Sequence, residues 1–179
     1  MIISVEPCES RSSQAVLDSV AATGEIPSCP ERGIAAMWDE RYSSAEYAYG
    51  TEPNDFLRAV APRLPVGNTL CLGEGEGRNA VFLAGLGHHV TALDASMVGL
   101  EKARALAEAR GVSLRTLHVD LSQYTIEPNA WDLIVSVFCH LPRDLRVRVH
   151  EGVAAGLRPG GKFVLEAYTP GQLSLNTGG

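Results

Sequence analysis

The chain has 179 residues, of which 45% are hydrophobic and 20% charged, and its formal net charge at pH 7 is −6. This length and composition predict one soluble globular domain with a single substantial core. The acidic balance argues against a nucleic-acid partner, and no apolar run approaches the ~20 residues of a membrane span. The first residues have neither the basic region nor the apolar core of a secretory signal. We therefore expect a cytoplasmic protein without a membrane or nucleic-acid partner.

The four cysteines, Cys8, Cys29, Cys71 and Cys139, do not have the spacing of metal ligands. Cys71 and Cys139 lie in apolar runs, where a free cysteine behaves as a small hydrophobic residue. We therefore predict reduced cysteines and no metal site.

Residues 1–31 are rich in Ser, Glu and Pro, which predicts a loosely ordered N-terminal extension. The predicted domain then runs from residue 32 to residue 179. It begins with a short helix over residues 35–42 and a loop over residues 47–53, after which Asn54 caps a second helix.

From residue 69 onward the apolar pattern alternates between strands and helices. Short apolar runs predict strands, and the segments between them have helical periodicity with flanking cap residues. The five predicted strands cover residues 69–72, 89–93, 113–119, 132–138 and 162–167. This alternation predicts an α/β fold in which a doubly wound parallel sheet has helices on both faces.

A glycine-rich loop follows the first of these strands. Its glycines are Gly73, Gly75 and Gly77, and the next strand ends at an acid, Asp94. Glycines at the end of a strand let a ligand approach the backbone, and an acid after the next strand binds the hydroxyls of a ribose. This pattern predicts a nucleoside-binding site.

The charge of the loop narrows the choice of ligand. Glu74 and Glu76 lie between the glycines, where a dinucleotide would place its pyrophosphate on the N-terminus of the following helix. Like charges would repel there, so the loop favours a ligand that carries positive charge. S-adenosylmethionine, with a ribose, a sulfonium and an ammonium group, meets these requirements.

Five motifs in this order resemble those of the class I S-adenosylmethionine-dependent methyltransferases, and most of all the small-molecule subgroup around the tellurite-resistance methyltransferases. The motifs are Leu-Gly-Glu-Gly-Glu-Gly-Arg-Asn at residues 72–79, Leu-Asp-Ala-Ser at 93–96, Val-Asp-Leu at 119–121, Trp-Asp-Leu-Ile-Val-Ser at 131–136 and Leu-Arg-Pro-Gly-Gly at 157–161. The resemblance implies a Rossmann-like sheet with strand order 3-2-1-4-5. It also implies S-adenosylmethionine as cofactor, S-adenosylhomocysteine as product and a small-molecule acceptor.

The resemblance implies a set of site residues as well. The cofactor-binding positions would be Gly73, Glu74, Gly75, Gly77, Asn79, Asp94, Ala95, Asp120, Leu121 and Val137, and the substrate side with its lid would be Trp38, Tyr42, Tyr49 and Phe138. Structural roles stay open for several of them. Asn79 and Asp94 could cap helices, Asp120 could form a turn, and the aromatic residues could pack the core.

His140 is the candidate catalytic residue. It lies at the carboxyl end of a predicted strand, where open α/β sheets bind ligands. A histidine can accept a proton from an oxygen or nitrogen acceptor, whereas a soft anion of sulfur, selenium or tellurium needs no base. Methyl transfer is otherwise an in-line displacement, which the protein promotes by aligning the reactants and excluding water.

The chain departs from the family pattern at two places. The family has an acid two residues before the first glycine, where this chain has Cys71, and Glu74 is the expected substitute that balances the cofactor's ammonium group. The family also closes its sheet with an antiparallel hairpin after the fifth strand, and the sequence ends before that hairpin. We therefore expect a C-terminally truncated domain whose fifth strand is an exposed apolar edge.

Two other functions stay open. The segment from Gly75 to Ala80 satisfies the G-x-G-x-x-A fingerprint of an NAD(P)-binding oxidoreductase, although the loop acids oppose this reading. The missing hairpin is consistent with a non-catalytic, truncated module that binds S-adenosylmethionine. The sequence identifies neither the acceptor nor the oligomeric state, and a homo-oligomer is left open.

Overall fold

The computed structural model describes residues 2–4 and 33–168. Over these residues, six strands form one sheet with helices packed on it, and no helix among them is long and apolar enough to cross a lipid bilayer. The strands are β1 (Ile2–Ser4), β2 (Asn68–Leu72), β3 (His89–Asp94), β4 (Arg115–His118), β5 (Trp131–Val137) and β6 (Leu157–Glu166). The helices are α1 (Ile34–Tyr42), α2 (Asp55–Val60), α3 (Arg78–Gly85), α4 (Met97–Ala109) and α5 (Arg143–Gly156), with a 3₁₀ turn (Ala61–Arg63) after α2.

Five of the described strands are parallel and lie in the order β6-β5-β2-β3-β4. Counted from β2, this is the predicted order 3-2-1-4-5, so the predicted Rossmann-like fold is confirmed. The chain first extends the sheet from β2 to β3 and β4, and then returns to add β5 and β6 on the other side of β2. The switch point between β2 and β5 is where open α/β sheets bind their ligands.

Two hydrophobic clusters cover the two faces of the sheet, because successive residues of a strand point to opposite faces. Cys71 and Leu133 belong to a cluster that packs against α2, α3 and α4. Their neighbours Leu70 and Ile134 belong to a second cluster, which packs against α5. Helices therefore lie on both faces, as the sequence predicted.

The edge of the sheet at β6 differs from the expectation. β1 pairs antiparallel with β6, with Ile2 opposite Val164 and Ser4 opposite Lys162. The prediction that this strand is an exposed edge was therefore wrong over this stretch. The other residues of the predicted loose extension lie outside the described part of the chain, and the domain boundary at residue 32 stays a prediction.

β6 begins earlier than the sequence predicted. Leu157 pairs with Trp131 directly after α5, and the next regular pairing joins Lys162 to Leu133. The segment 158–161, which precedes the strand predicted over residues 162–167, is therefore an irregularity inside the strand. A bulge of this kind lets glycine and proline residues lie within a strand without a ladder partner.

Candidate functional site

A cavity of about 570 Å³ opens at the carboxyl ends of the parallel strands, next to the switch point between β2 and β5. This volume lies in the range of small-molecule pockets. The predicted site residues that line it are Trp38, Tyr42, Tyr49, Gly73, Glu74, Asn79, Asp94, Ala95, Asp120, Leu121, Val137, Phe138 and His140. The fold thus brings to one place side chains that the sequence pattern identified separately.

The glycine loop packs closely against the protein itself. Gly75 and Gly77 have positive φ values of +61° and +90°. A Cβ atom on Gly75 would lie 2.5 Å from the hydroxyl oxygen of Tyr42, and one on Gly77 would lie 2.5 Å from the Cβ of Ala103. Of the three predicted glycines, only Gly73 is among the described residues that line the cavity. The other two let α1 and α4 approach the loop.

Asp94 ends β3, is only 7% exposed, and has both carboxylate oxygens bound to backbone groups. Oδ2 accepts a hydrogen bond from the N–H of Gly75 at 2.7 Å, and Oδ1 accepts one from the N–H of Ser96 at 2.7 Å. Burial raises the pKa of Asp94, although these N–H groups act to lower it. The cap of α4 is Ser96, whose Oγ accepts from the N–H of Gly99. A carboxylate has about four acceptor sites, and Asp94 lines the cavity.

The carboxylate of Glu74 lies at the N-terminus of α3. Its Oε1 accepts hydrogen bonds from the backbone N–H groups of Asn79, at 2.9 Å, and Ala80, at 2.7 Å. Burial raises the pKa of Glu74 to about 7, against the lowering effect of the two N–H groups. Burial raises the pKa of Cys71 well above its ordinary value, and the nearby carboxylate of Glu74 raises it further. A neutral thiol and an acid therefore lie side by side where β2 meets the loop.

Glu76 does not border the cavity. It is 5% exposed, and its Oε1 forms a 2.5 Å ion pair with the ammonium group of Lys102 on α4. Its Oε2 accepts a hydrogen bond from the N–H of Ala48 at 2.8 Å, and Lys102 also donates to three backbone carbonyls within residues 42–46. The prediction that both loop acids favour a cationic ligand was therefore wrong for Glu76. Lys102 neutralises this charge, and the pair holds the loop after α1 in place.

Hydrogen bonds also attach the segment that contains α1 and α2 to the residues around the cavity. Asp39 accepts a hydrogen bond from the hydroxyl of Ser96 at 2.6 Å, which ties α1 to the start of α4. The Oδ1 of Asn79 accepts from the N–H of Asn54 at 2.9 Å, next to the start of α2. The side-chain oxygen of Asn79 is thus used to position this segment, although the residue lines the cavity.

Aromatic and cationic side chains cover one side of the cavity. Tyr42 stacks on Trp38 with ring centroids 5.4 Å apart, and burial raises the pKa of Tyr42 so that its hydroxyl stays neutral. The guanidinium groups of Arg41 and Arg78 lie 5.3 and 5.9 Å from the ring centroid of Tyr49. The predicted site did not include these arginines. Arg41 lies three residues after Trp38, a spacing that places both on one helix face and could have revealed it.

Three ring side chains meet where β5 and β6 end. The rings of His140 and Tyr168 are parallel within 4° with centroids 5.2 Å apart, and the ring of Phe138 lies 4.8 Å from that of Tyr168. Phe138 has a φ of +53°, a conformation that costs a non-glycine residue free energy and recurs at functional sites. Burial lowers the pKa of His140, and its Nε2 has no hydrogen-bond partner among the described residues.

Asp120 lines the cavity and also forms the turn that the sequence left open. Its Oδ1 accepts a hydrogen bond from the N–H of Ser122 at 2.6 Å.

The described cavity residues that the prediction missed are Ile34, Arg41, Arg78, Leu93, Val119, Cys139, Leu141, Leu145 and Tyr168. Most of them are apolar, so the sequence pattern marks them only as core. Burial raises the pKa of Cys139 to about 12, which keeps this thiol neutral.

The switch point has a glycine loop after β2 and an acid at the end of the adjacent β3, the arrangement typical of Rossmann-like nucleoside-binding domains. Comparison with protein families narrows this class. The chain belongs to the family described as a methyltransferase domain, whose sequence profile matches residues 69–161, more than half of the chain. The family predicted from the sequence is confirmed.

A curated relative of the chain is a methyltransferase. The chain is 25% identical over 125 residues to the 2-heptyl-1-hydroxyquinolin-4(1H)-one methyltransferase of Mycobacteroides abscessus. The match covers 68% of this chain and 55% of the relative, so the chain spans little more than half the length of this curated protein.

Solved structures support the fold. A protein of Pyrococcus horikoshii superposes with a TM-score of 0.61 at 20% identity, over 80% of this chain and 66% of that one. A SAM-dependent methyltransferase of Thiobacillus denitrificans, solved in complex with S-adenosyl-L-homocysteine, superposes with a TM-score of 0.55 at 23% identity, over 73% of this chain and 54% of that one. At these identities the superpositions support the fold alone.

Proposed function

We propose that the protein is an S-adenosylmethionine-dependent methyltransferase that acts on a small-molecule acceptor. The observation that carries this proposal is the pair of carboxylates, Asp94 and Glu74, that border one cavity at the switch point of a methyltransferase-family domain. The curated relative acts, by its name, on a small hydroxyquinolinone, and the Thiobacillus denitrificans structure contains S-adenosyl-L-homocysteine. Both names support a small acceptor and this cofactor.

The residues that line the cavity fit the groups of the cofactor. Asp94 would hold the ribose diol through the lone pairs that its backbone contacts leave free. Glu74 would balance the ammonium group, while Arg41 and Arg78 are the cationic side chains of the described cavity that can pair with the methionine carboxylate. When bound, S-adenosylmethionine supplies a methyl group that its sulfonium activates for displacement. The protein contributes by aligning the reactants and excluding water, which the aromatic side chains Trp38 and Tyr42 favour.

The same geometry opposes a dinucleotide. A nicotinamide cofactor places its pyrophosphate on the N–H groups at the start of the helix after the glycine loop. In this chain the carboxylate of Glu74 already accepts hydrogen bonds from the N–H groups of Asn79 and Ala80. A pyrophosphate would have to displace this acid and then remain next to it.

Calorimetric titration of the full chain with S-adenosylhomocysteine, with NAD and NADP in parallel, tests the proposal. We expect binding of S-adenosylhomocysteine alone, and its loss in Asp94→Ala but not in the control Asp55→Ala, an exposed acid at the start of α2. Binding of NAD or NADP instead, or a folded chain that binds none of the three, would contradict the proposal. Binding without turnover of any acceptor would favour the non-catalytic module. The cytoplasmic location stays a prediction from the sequence, and the oligomeric state stays open.

A further inference from the structure

The two walls of the cavity, on either side of the switch point, differ in charge. Its described charged residues, Arg41, Glu74, Arg78, Asp94 and Asp120, all come from segments that precede β5. The lining residues that belong to or follow β5 are apolar or aromatic apart from His140 and the thiol of Cys139, which burial keeps neutral by raising its pKa to about 12. The charged side suits the proposed cofactor. The other side therefore suits an acceptor that is mostly apolar.

The shape of the apolar side favours a planar acceptor. The rings of His140 and Tyr168 are nearly parallel, and Phe138 joins them at a tilt of 34° to Tyr168. Ring systems attract a further flat ring by offset stacking or edge contact. The backbone holds this group in place, because the N–H of Phe138 donates to the carbonyl of Glu166 at 2.8 Å in spite of the positive φ of Phe138. A strained but tethered ring at the cavity wall is consistent with a binding role.

His140 is the polar group within this apolar wall. Its Nε2 is buried without a hydrogen-bond partner among residues 33–168, a state that costs free energy unless the group has another use. Burial lowers the pKa of His140, so the imidazole is neutral at pH 7 and able to accept a proton. A neutral imidazole is a suitable base for a phenol-type hydroxyl, whose pKa resembles that of tyrosine near 10, but not for an aliphatic alcohol.

We propose that the acceptor is a planar hydroxyaromatic compound, which packs against the rings of Phe138 and Tyr168, directs its hydroxyl at the edge of the His140 ring, and is methylated on its hydroxyl oxygen with His140 as the base. This inference rests on the proposed methyltransferase function. The hydroxyl proton passes to a ring nitrogen of His140, and the oxygen forms its bond to the donated methyl carbon. The electron pair of the broken carbon–sulfur bond remains on sulfur. The protonated imidazole then releases its proton to solvent.

Binding of the acceptor is measured by calorimetry on the full chain saturated with S-adenosylhomocysteine. The probes are 2-naphthol and its saturated analogue decahydro-2-naphthol, which has the hydroxyl but no flat ring. We expect 2-naphthol to bind roughly tenfold more tightly, because the saturated analogue cannot stack. Tyr168→Ala should remove most of this preference, whereas Tyr168→Phe, which keeps the ring, should retain it.

Turnover is measured next with S-adenosylmethionine and three hydroxyaromatic probes, 2-naphthol, phenol and 4-hydroxyquinoline, with mass spectrometry of the methyl ether. His140→Gln should lower kcat roughly 10²- to 10⁴-fold, the usual contribution of a general base. It should leave the dissociation constant of 2-naphthol within about threefold, because glutamine preserves polarity and similar size. His89→Gln is the matched control, since His89 is exposed at the first residue of β3, whereas the cavity lies at the other end of this strand, next to Asp94.

The outcomes separate this inference from the function on which it rests. If S-adenosylhomocysteine binds but decahydro-2-naphthol binds as well as 2-naphthol, the aromatic acceptor is wrong and methyl transfer still stands. An unchanged kcat in His140→Gln, or a loss of 2-naphthol affinity equal to the loss of kcat, would remove the base role. A wild-type chain that fails to bind S-adenosylhomocysteine would overturn both proposals. If His140→Gln does not fold, the comparison of the two probes on the wild-type chain still decides the acceptor class.

Discussion

The carboxylate of Asp94 accepts a 2.7 Å hydrogen bond from the backbone N–H of Gly75, so the acid that follows β3 and the loop that follows β2 hold each other in place. The carbonyl of the preceding residue, Leu93, also accepts from the N–H of Glu74 at 3.0 Å. These contacts mean that the proposed ribose-binding acid is positioned before any ligand arrives. Such preorganisation reduces the ordering that binding would otherwise require.

Asp94→Asn should weaken binding of S-adenosylhomocysteine roughly 10- to 100-fold, because hydrogen bonds to a charged group contribute about 1.5–3 kcal/mol. The asparagine amide would also direct N–H groups at the backbone donors of Gly75 or Ser96. Calorimetry measures the affinity, and thermal unfolding shows whether the loop is weakened as well. Asp55→Asn, on the exposed start of α2, serves as the control. Equal affinities in both variants would show that Asp94 does not bind the ribose.

Binding of the cofactor should depend on pH through Glu74. The pKa of Glu74 is about 7, above its ordinary value of 4.5, so the empty site binds a proton below neutral pH. The ammonium group needs the ionised acid, so affinity should rise between pH 5.5 and 7 by up to about tenfold per pH unit, with release of a proton. Calorimetry in buffers of different ionisation enthalpy measures that proton. Glu74→Gln should abolish the dependence, and an unchanged pH profile in this variant would refute the assignment.

The same raised pKa predicts the sign of a stability change in the ligand-free chain. Between pH 4.5 and 7 the unfolded chain has already ionised Glu74 while the folded chain still binds the proton. The contribution of Glu74 to the free energy of unfolding is therefore fully present below about pH 4.5, and it decreases as the pH rises through 7. Relative to wild type, Glu74→Gln should become more stable as pH rises across this window. Urea unfolding of both proteins at pH 5 and pH 8 measures the difference.

Lys102→Met should destabilise the fold by about 3–5 kcal/mol, because it leaves the nearly buried carboxylate of Glu76 without its cation. The double variant Glu76→Gln with Lys102→Met should recover part of the loss, since no buried charge then remains. Denaturant unfolding of the single and double variants measures this coupling. Faster hydrogen exchange at the N–H of Ala48, which Glu76 binds, should accompany the single variant. Additive losses in the double variant would mean that the pair is not coupled.

Gly77→Ala should destabilise the fold by about 2–4 kcal/mol, from backbone strain at φ +90° and overlap with Ala103. Gly85→Ala, at the last residue of the helix that Gly77 caps, is the control, because a Cβ added at Gly85 has no heavy atom within 4 Å. We expect this control to be stabilised by about 0.5–1 kcal/mol, since alanine loses less backbone entropy in a helix. Equal effects at the two positions would contradict the packing described for the loop.

His88 should make the protein less stable in acid. Its Nδ1 lies 2.7 Å from the hydroxyl oxygen of Thr69 inside the fold, and burial lowers the pKa of His88 below its ordinary value of 6.5. The folded state therefore resists protonation that the unfolded state accepts. The contribution of His88 to the free energy of unfolding is fully present above about pH 6.5. It decreases as the pH falls toward the lowered pKa of His88 in the folded state. The advantage of wild type over His88→Asn in urea unfolding should shrink from pH 7.5 to pH 5, while His89→Gln follows wild type.

The sequence by itself determined the order of strands and helices, the glycine loop and the position of Asp94. These features depend on periodicity and on neighbours within one turn or one strand, and such local patterns are written in consecutive residues. The right-handed crossover of parallel strands restricts the topology, but the order 3-2-1-4-5 was predicted from the resemblance to the methyltransferase family. The family motifs allowed most of the residues that line the cavity to be named before the structure was known.

Only the tertiary structure decided which partners these residues have. Glu76 looks like a ligand-facing acid in the sequence, but Lys102 approaches it from another helix. The pairing of β1 with β6 and the stacking of Tyr168 on His140 likewise join segments that are distant in sequence or follow different strands. Contacts of this kind arise when separate elements pack into one core, so no local pattern encodes them. The division of the cavity into a charged side and an aromatic side follows from that packing.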